Sequence, residues 1–377
     1  TDVDDKTIRA SQKEKTSLKI FTKKYEKIFF DDLKELNVFE PDYILRATES
    51  ISSMVSLIET LLKRGYAYKA EEGIYFDVSK FKNYGKLAKL GKIKKSVSRI
   101  TKDEYDKKDV QDFALWKFWT EDDGDIFWDV KIGKGRPGWH IECSAMSMQI
   151  LGNPIDIHTG ASDLIFPHHT NEIAQSEAAT GKKFVNYWLH AGFLTMKEGK
   201  MSKSLGNVFY LKDLKEKGFS PLDYKYLTLT THYREPLNFS LENLEAAKNS
   251  YQRLKNIIAE IKDDKSENKK YLEEFQKAVE DDLNMPKALQ ALWNLLRKKN
   301  EHGKLRAIRK MDEVFGLDLL KKEKEIEIPE NIQQLVEERE EARKEKDWKK
   351  ADKLREEIKK KGFILDDTEE GVRVRKI

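Results

Sequence analysis

The chain has 377 residues, of which 39% are hydrophobic and 37% charged, and Lys+Arg 71 against Asp+Glu 67 leaves a formal net charge of only +4. That length suggests two to four domains, and the mixed composition excludes the depleted, single-signed character of disordered chains. Balanced charge requires any polyanion to be held by a local basic patch, while the single cysteine excludes an internal disulfide framework and fits a reducing, cytoplasmic setting with no membrane span.

TDVDDKTIRA, at the start, reads as the end of a buried strand running into a helix. Within residues 12–37, Phe21, Tyr25, Ile28, Phe29, Leu33 and Leu36 recur at three- and four-residue steps and predict an amphipathic helix. ATESISSMVSLIETLLKRG predicts a second helix stopped at Gly65, and YAYKAEEGIYFDV a hairpin about a Glu-Glu-Gly turn. Residues 80–136, rich in lysine, aspartate and glycine, carry little periodicity and read as an irregular insertion. Beyond Pro137 come IDIH as a short buried strand, TGASDLIFP as a loop, HHTNEIAQSEAAT as a helix ending at Gly181, and FVNYWLHAGFL as another strand. Strand, loop and helix in that order define the α/β layout that binds ligands just outside the strand ends. After residue 207 the pattern is helical, broken at Pro286, and VEEREEARKEKDWKKADKLREEIKKKG predicts a charged helical hairpin followed by a short tail.

Two clusters carry chemistry. His168 and Glu172 stand at i and i+4 on one predicted helical face, and with Cys143 they supply three ligands of the types zinc takes. His158 and His169 compete for the same role, and the spacing alone also allows Cys143 to be a small buried apolar residue beside an exposed His–Glu pair. The second cluster is KEGKMSKSLGN, a glycine-flanked lysine and serine loop suited to phosphates but without the order of a P-loop.

GKGRPGWHIECSAM, FPHHTNEIAQSEA, GKMSKSLGN and the opening TDVDDK, with THYREPLNFS and the terminal DWKKADKLREEI and GFILDDTEEGVRVR, make the whole chain resemble the cysteinyl-tRNA synthetases, a family of class I aminoacyl-tRNA synthetases. The resemblance implies an α/β, Rossmann-like catalytic domain followed by α-helical tRNA-binding domains. It divides the chain into a catalytic domain at 1–205 with the insertion at about 66–136, a stem-contact segment at 206–245, a helical bundle at 246–322 and an anticodon-binding region at 323–377. It implies one zinc ion on Cys143, His168 and Glu172, gripping the substrate thiolate, and an amino-acid pocket lined by Thr1, Trp139, His158 and Asp163. Lys200, Met201, Ser202, Lys203 and Ser204 match the ATP-binding loop, with Lys200 and Lys203 catalytic and Mg2+ accompanying ATP. Cysteine, ATP and tRNA(Cys) are the implied partners of a monomer, with Arg339, Arg343, Lys349, Lys350, Arg373 and Arg375 as phosphate contacts and Trp348 as either a stacking face or helix packing.

The family's HIGH-like signature and a further zinc cysteine have no counterpart here, so the resemblance reads the chain as an amino-terminally incomplete catalytic domain, inactive alone. Lys225 stands where the family has arginine. Two other readings remain: a cysteine ligase acting on an amino sugar, and a non-catalytic RNA- or zinc-binding relative.

Overall fold

The computed structural model describes residues 1–90, 99–100, 111–196, 199–200, 208–321, 329–368 and 371–376. Helix α1 (Asp5–Lys13) opens with a reciprocal cap, in which Asp4 accepts from the Thr7 amide and the Thr7 hydroxyl accepts from the Asp4 amide. No strand is assigned to Thr1–Asp4, contrary to the expected strand end, although Val3 is buried. The expected first amphipathic helix is α2 (Leu18–Glu35), of which Phe21 packs inward while Ile20, Tyr25, Ile28 and Phe29 remain exposed. Helix α3 (Ile51–Lys63) buries Ile51, Met54, Val55, Ile58 and Leu61, the stripe its sequence period anticipates.

Strands β1 (Ala67–Lys69) and β2 (Gly73–Phe76) form the expected hairpin. The expected irregular insertion is instead the centre of a six-stranded sheet. There β4 (Asp112–Phe118) pairs antiparallel with β2 and with β6 (Gly133–Pro137), β5 (Trp128–Val130) flanks β6, and β3 (Arg99–Ile100) runs parallel to β4. Phe113, Leu115 and Trp116 of β4 are fully enclosed, with Ala114 beside them, so the strand is covered on both faces and shows none of the alternation that marks a half-exposed strand.

From β6 the chain enters α4 (Trp139–Leu151), then β7 (Ile155–Ala161), a short 3-10 turn over Ser162–Ile165, α5 (His168–Thr180) and β8 (Val185–Ala191). Strands β7 and β8 are parallel, and α5 supplies the crossover. β7 is longer than the expected IDIH and is not a buried strand, since Ile157 is 57% exposed. β9 (Leu194–Met196) pairs antiparallel with β10 (Gly199–Lys200) and parallel with β11 (Leu237–Asn238).

Past this point the fold is helical: α6 (Leu211–Glu216), α7 (Pro221–Leu229), α8 (Leu241–Ala259), α9 (Lys269–Glu280), α10 (Met285–Arg297) and α11 (Lys304–Phe315). Pro286 sits in the first turn of α10, where its missing N–H costs nothing, and so starts a helix as well as ending the preceding run. One apolar core runs from Leu211 through Leu244, Leu254 and Leu292 to Leu319. Helix α8 runs across the boundary expected at residue 245, and the residues on either side of it share that core. Lys225 joins this body to the end of α2, donating to Asn37 O at 3.1 Å and Gly316 O at 3.2 Å.

The charged hairpin is α12 (Glu330–Lys344) and α13 (Trp348–Lys360), and the expected tail is a β-hairpin, β12 (Phe363–Thr368) with β13 (Gly371–Lys376). Arg339, expected at a phosphate, is buried and pairs with Glu340. Trp348, at the first position of α13, is 59% exposed. The side chains of Arg373 and Arg375 lie outside the described residues. Among the described residues, no helix is long and apolar enough to cross a membrane.

Candidate active site and metal centre

Pro137 ends β6 and Gly138 turns the chain into α4, in a position where a Cβ would lie 2.1 Å from the Ala114 carbonyl oxygen. This close approach sets the first turn of α4 against the centre of the large sheet. Gln175 of α5 then locks the two helices together, donating to His140 O at 2.9 Å and to Ser144 Oγ at 3.0 Å. The second turn of α4 therefore faces the first two turns of α5.

One donor atom each from Cys143, His168 and Glu172 lies within 4.8 Å of the other two. His158, His169 and Glu172 form a second such set that shares the carboxylate. Glu172 is fully buried, with His168 Nε2 at 3.1 Å, His158 Nε2 at 3.5 Å and His169 Nε2 at 4.0 Å. Neither Glu172 oxygen accepts a hydrogen bond from the described residues. Burial raises the Glu172 carboxyl well above its ordinary value. It does the same to the Cys143 thiol, with the Glu172 and Glu142 carboxylates adding to the effect. The His168 imidazole is held well below its usual range by burial and then by its neighbours His140 and His158, which favours the neutral form that a metal can take.

These features fit a zinc ion. The set is one sulfur, one nitrogen and one oxygen, and ligand atoms on a tetrahedral zinc lie roughly 3–4 Å apart, which small side-chain rotations reach from here. A buried carboxylate without a hydrogen-bonded partner costs stability unless a cation neutralises it.

Trp139 stacks on His168 with ring centroids 4.2 Å apart, and His158 lies against Trp188 at 4.7 Å. Thr1 lines a cavity with Asp2, Lys6, Thr7 and Phe21, which does not include Cys143, His168 or Glu172. Asp163 lies on the 3-10 turn between β7 and α5 and is exposed. Lys200 is held through the backbone pairing of β10 with β9, opposite Thr195, while Met201, Ser202, Lys203 and Ser204 lie outside the described residues.

Sequence reasoning gave no role to His140 and His190. His140 Nδ1 is 3.0 Å from His168 Nδ1, and His169 Nδ1 is 2.8 Å from His190 Nε2, so histidines surround the metal-type cluster. Burial, followed by the Lys117 charge, pushes His140 down to about 3. The position of His140 three residues before Cys143 on one helix was the available signal.

A parallel strand pair with a crossover helix, followed by a helical body, is an α/β layout with its candidate ligands gathered beside the crossover helix. The family described as tRNA synthetases class I (C) catalytic domain matches residues 1–249, and the Cysteinyl-tRNA ligase anticodon binding domain matches residues 326–375. The cysteine–tRNA ligase of Chlamydia muridarum (strain MoPn / Nigg) is 42% identical over 412 aligned residues, covering 100% of this chain and 86% of the relative. That of Brachyspira hyodysenteriae (strain ATCC 49526 / WA1) is 41% identical, covering 99% and 85%. The fold is similar to that of Mycobacterium tuberculosis methionyl-tRNA synthetase bound by methionyl-adenylate, with a TM-score of 0.56 at 14% identity, over 85% of this chain and 76% of that one. The chain belongs to the class I (C) tRNA synthetase family, the cysteine–tRNA ligases.

Proposed function

We propose that this protein activates cysteine with ATP and transfers the cysteinyl group to tRNA(Cys), using Cys143, His168 and Glu172 to hold one zinc ion. The observation that carries the metal reading is the buried Glu172 carboxylate, which lacks a hydrogen-bonded partner among the described residues and stands within 4.8 Å of a thiol and an imidazole donor. Bound there, zinc supplies a soft Lewis-acid site that takes a thiolate far more readily than the hydroxyl of serine.

The chain's own residues shape the rest. Trp139 stacks on the His168 ring and restricts its orientation, while His158, beside Trp188, closes the opposite wall. In this reading Asp163, on the turn that leads into α5, and Thr1 take the ammonium and carboxylate of the amino acid. Lys200 and Lys203 bring ammonium groups to the phosphates of Mg2+-bound ATP. As the cysteine carboxylate attacks the α-phosphorus, the bond to pyrophosphate breaks, and these cations meet the charge on the departing group. A ribose hydroxyl of tRNA then attacks the acyl carbon and AMP leaves.

For tRNA, Arg343, Lys349 and Lys350 offer phosphate contacts, and the exposed Trp348 ring offers a stacking face. The module at 326–375 speaks against a small-molecule acceptor, which gives no reason for an anticodon-type hairpin. A single thiol suits the cytoplasm, and the reading takes the protein as a monomer.

The test is equilibrium binding of cysteine and of serine to the zinc-loaded and the chelator-stripped protein. Loaded protein prefers cysteine by about two orders of magnitude or more, and stripping removes the preference. An unchanged preference after stripping rejects the metal reading.

A further inference from the structure

Strand β9 carries the chain from the His190 end of the site toward the lysine loop, and a second segment runs beside it. Gly192 N–H donates to Tyr233 O at 2.7 Å, Leu237 N–H to Phe193 O at 2.9 Å, and Phe239 N–H to Thr195 O at 2.7 Å. A Cβ at Gly192 would stand 2.5 Å from Glu235 O, so the approach is closer than any other residue allows. Residues 232–239 thus form a rail along 192–195, and β10 with Lys200 hangs on the other side of β9.

One carboxylate from the helical body holds the outer end of this rail. Asp282 Oδ1 accepts from the Tyr233 hydroxyl at 2.8 Å, its Oδ2 takes Arg234 Nε at 2.6 Å, and His232 Nε2 lies 3.8 Å away. Arg234 Nε also reaches the Tyr233 hydroxyl at 3.2 Å, and the His232 and Tyr233 rings stack at 5.0 Å. These donors lower the Asp282 carboxyl, Tyr233 and Arg234 first.

The turn presenting Asp282 is rigid. Asp282 and Leu283 have φ of 56° and 54°, two consecutive left-handed conformations in residues other than glycine, which persist only where surroundings enforce them. The enforcement is visible on both sides. Leu283 N–H bonds Val279 O and Asn284 N–H bonds Ala278 O, closing α9, while the Asn284 side chain caps α10 and Lys287 pairs with Asp281. A single exposed ion pair would contribute little, but several donors on one carboxylate held by a fixed turn make a defined joint.

We infer that Asp282 is a positioning residue: through Tyr233 and Arg234 it couples the helical body to the 232–239 rail and so sets the strand pair that delivers the phosphate-binding lysines. The link to ATP rests on the function proposed above, whereas the mechanical joint does not.

Hydrogen exchange on the full chain tests the joint, comparing wild type with Asp282→Ala, Asp282→Asn and Tyr233→Phe. In Asp282→Ala the amides of Gly192, Leu237 and Phe239 exchange about tenfold faster, while core amides of α8, α10 and the β4–β6 pair keep their protection. Asp282→Asn retains an acceptor for the Tyr233 hydroxyl and restores most of the protection, and Tyr233→Phe gives a partial loss. Unchanged exchange along the rail in Asp282→Ala overturns the inference, as does a rise spread evenly through the helices. A second arm measures Mg2+–ATP binding, which weakens several-fold in Asp282→Ala at unaltered zinc content. Equal ATP affinity in a variant whose rail has loosened overturns the connection to the lysine loop. If wild type itself bound no ATP, the proposed function would fail while the exchange data still judged the joint.

Discussion

Asp5→Asn is the perturbation whose size the structure sets most closely. Asp5, in the first turn of α1, reaches Lys117 Nζ of β4 at 3.1 Å and the Arg136 guanidinium of β6, and Arg136 Nε also donates to Asp123 at 2.7 Å. The cations are enclosed, their side chains 8% and 9% exposed, whereas Asp5 is 29% exposed. Removing one partner of a buried pair costs about 3–5 kcal/mol, and the partial exposure of Asp5 scales this to about 2–3 kcal/mol. Burial raises the Asp5 carboxyl, but the Lys117 and Arg136 charges outweigh it and leave the group below its ordinary 3.8. A depressed carboxylate stabilises the fold above the unfolded-state value, and that stability is lost as pH falls through the lower folded-state value. The urea midpoints of wild type and variant therefore differ at about pH 7 and converge as pH falls below 3.8. Pairing Asp5→Asn with Lys117→Met removes one of the two cations that Asp5 faces and recovers about 1–2 kcal/mol. Equal midpoints at neutral pH, or a gap that persists unchanged into acid, would refute the reasoning.

Gly138→Ala drives a Cβ into the Ala114 carbonyl, so the start of α4 must move, at about 1–3 kcal/mol in stability and with weaker zinc retention in a chelator competition. Full zinc affinity in that variant would show that the turn does not position Cys143. Leu292→Ala empties a fully enclosed place in the helical core and destabilises it by about 2–5 kcal/mol, read as a lower calorimetric midpoint. A shift confined to the β-sheet transition would contradict the single helical core.

The apolar stripe of α3 and the helical pattern after residue 207 were legible, as was α5 to its Gly181 stop, whereas α4 was not anticipated, since it buries the consecutive residues His140, Ile141 and Glu142 with Ser144 and Ala145 and shows no single stripe. Strand β4 was not, since DFALWKF is buried on both faces and alternates nothing, and charge-rich segments on either side hid its edges. The metal-type triad could be assembled from residue types and spacing together with family likeness. Of its histidine surround only His140 carried a signal, its spacing from Cys143, while His190 looks like an isolated histidine until the fold brings α5 and β8 together. The Asp282 joint was equally hidden, joining residues 49 apart in sequence through a turn whose left-handed residues are not glycine.

Cobalt substitution tests the central claim most directly, because a thiolate bound to Co2+ produces a charge-transfer absorption that oxygen and nitrogen ligands do not. The account predicts this absorption in the wild-type protein, its loss in Cys143→Ser, and its growth when cysteine but not serine is added. Absorption that survives in Cys143→Ser, or that fails to respond to cysteine, would contradict a metal held by Cys143, His168 and Glu172 and used to recognise sulfur.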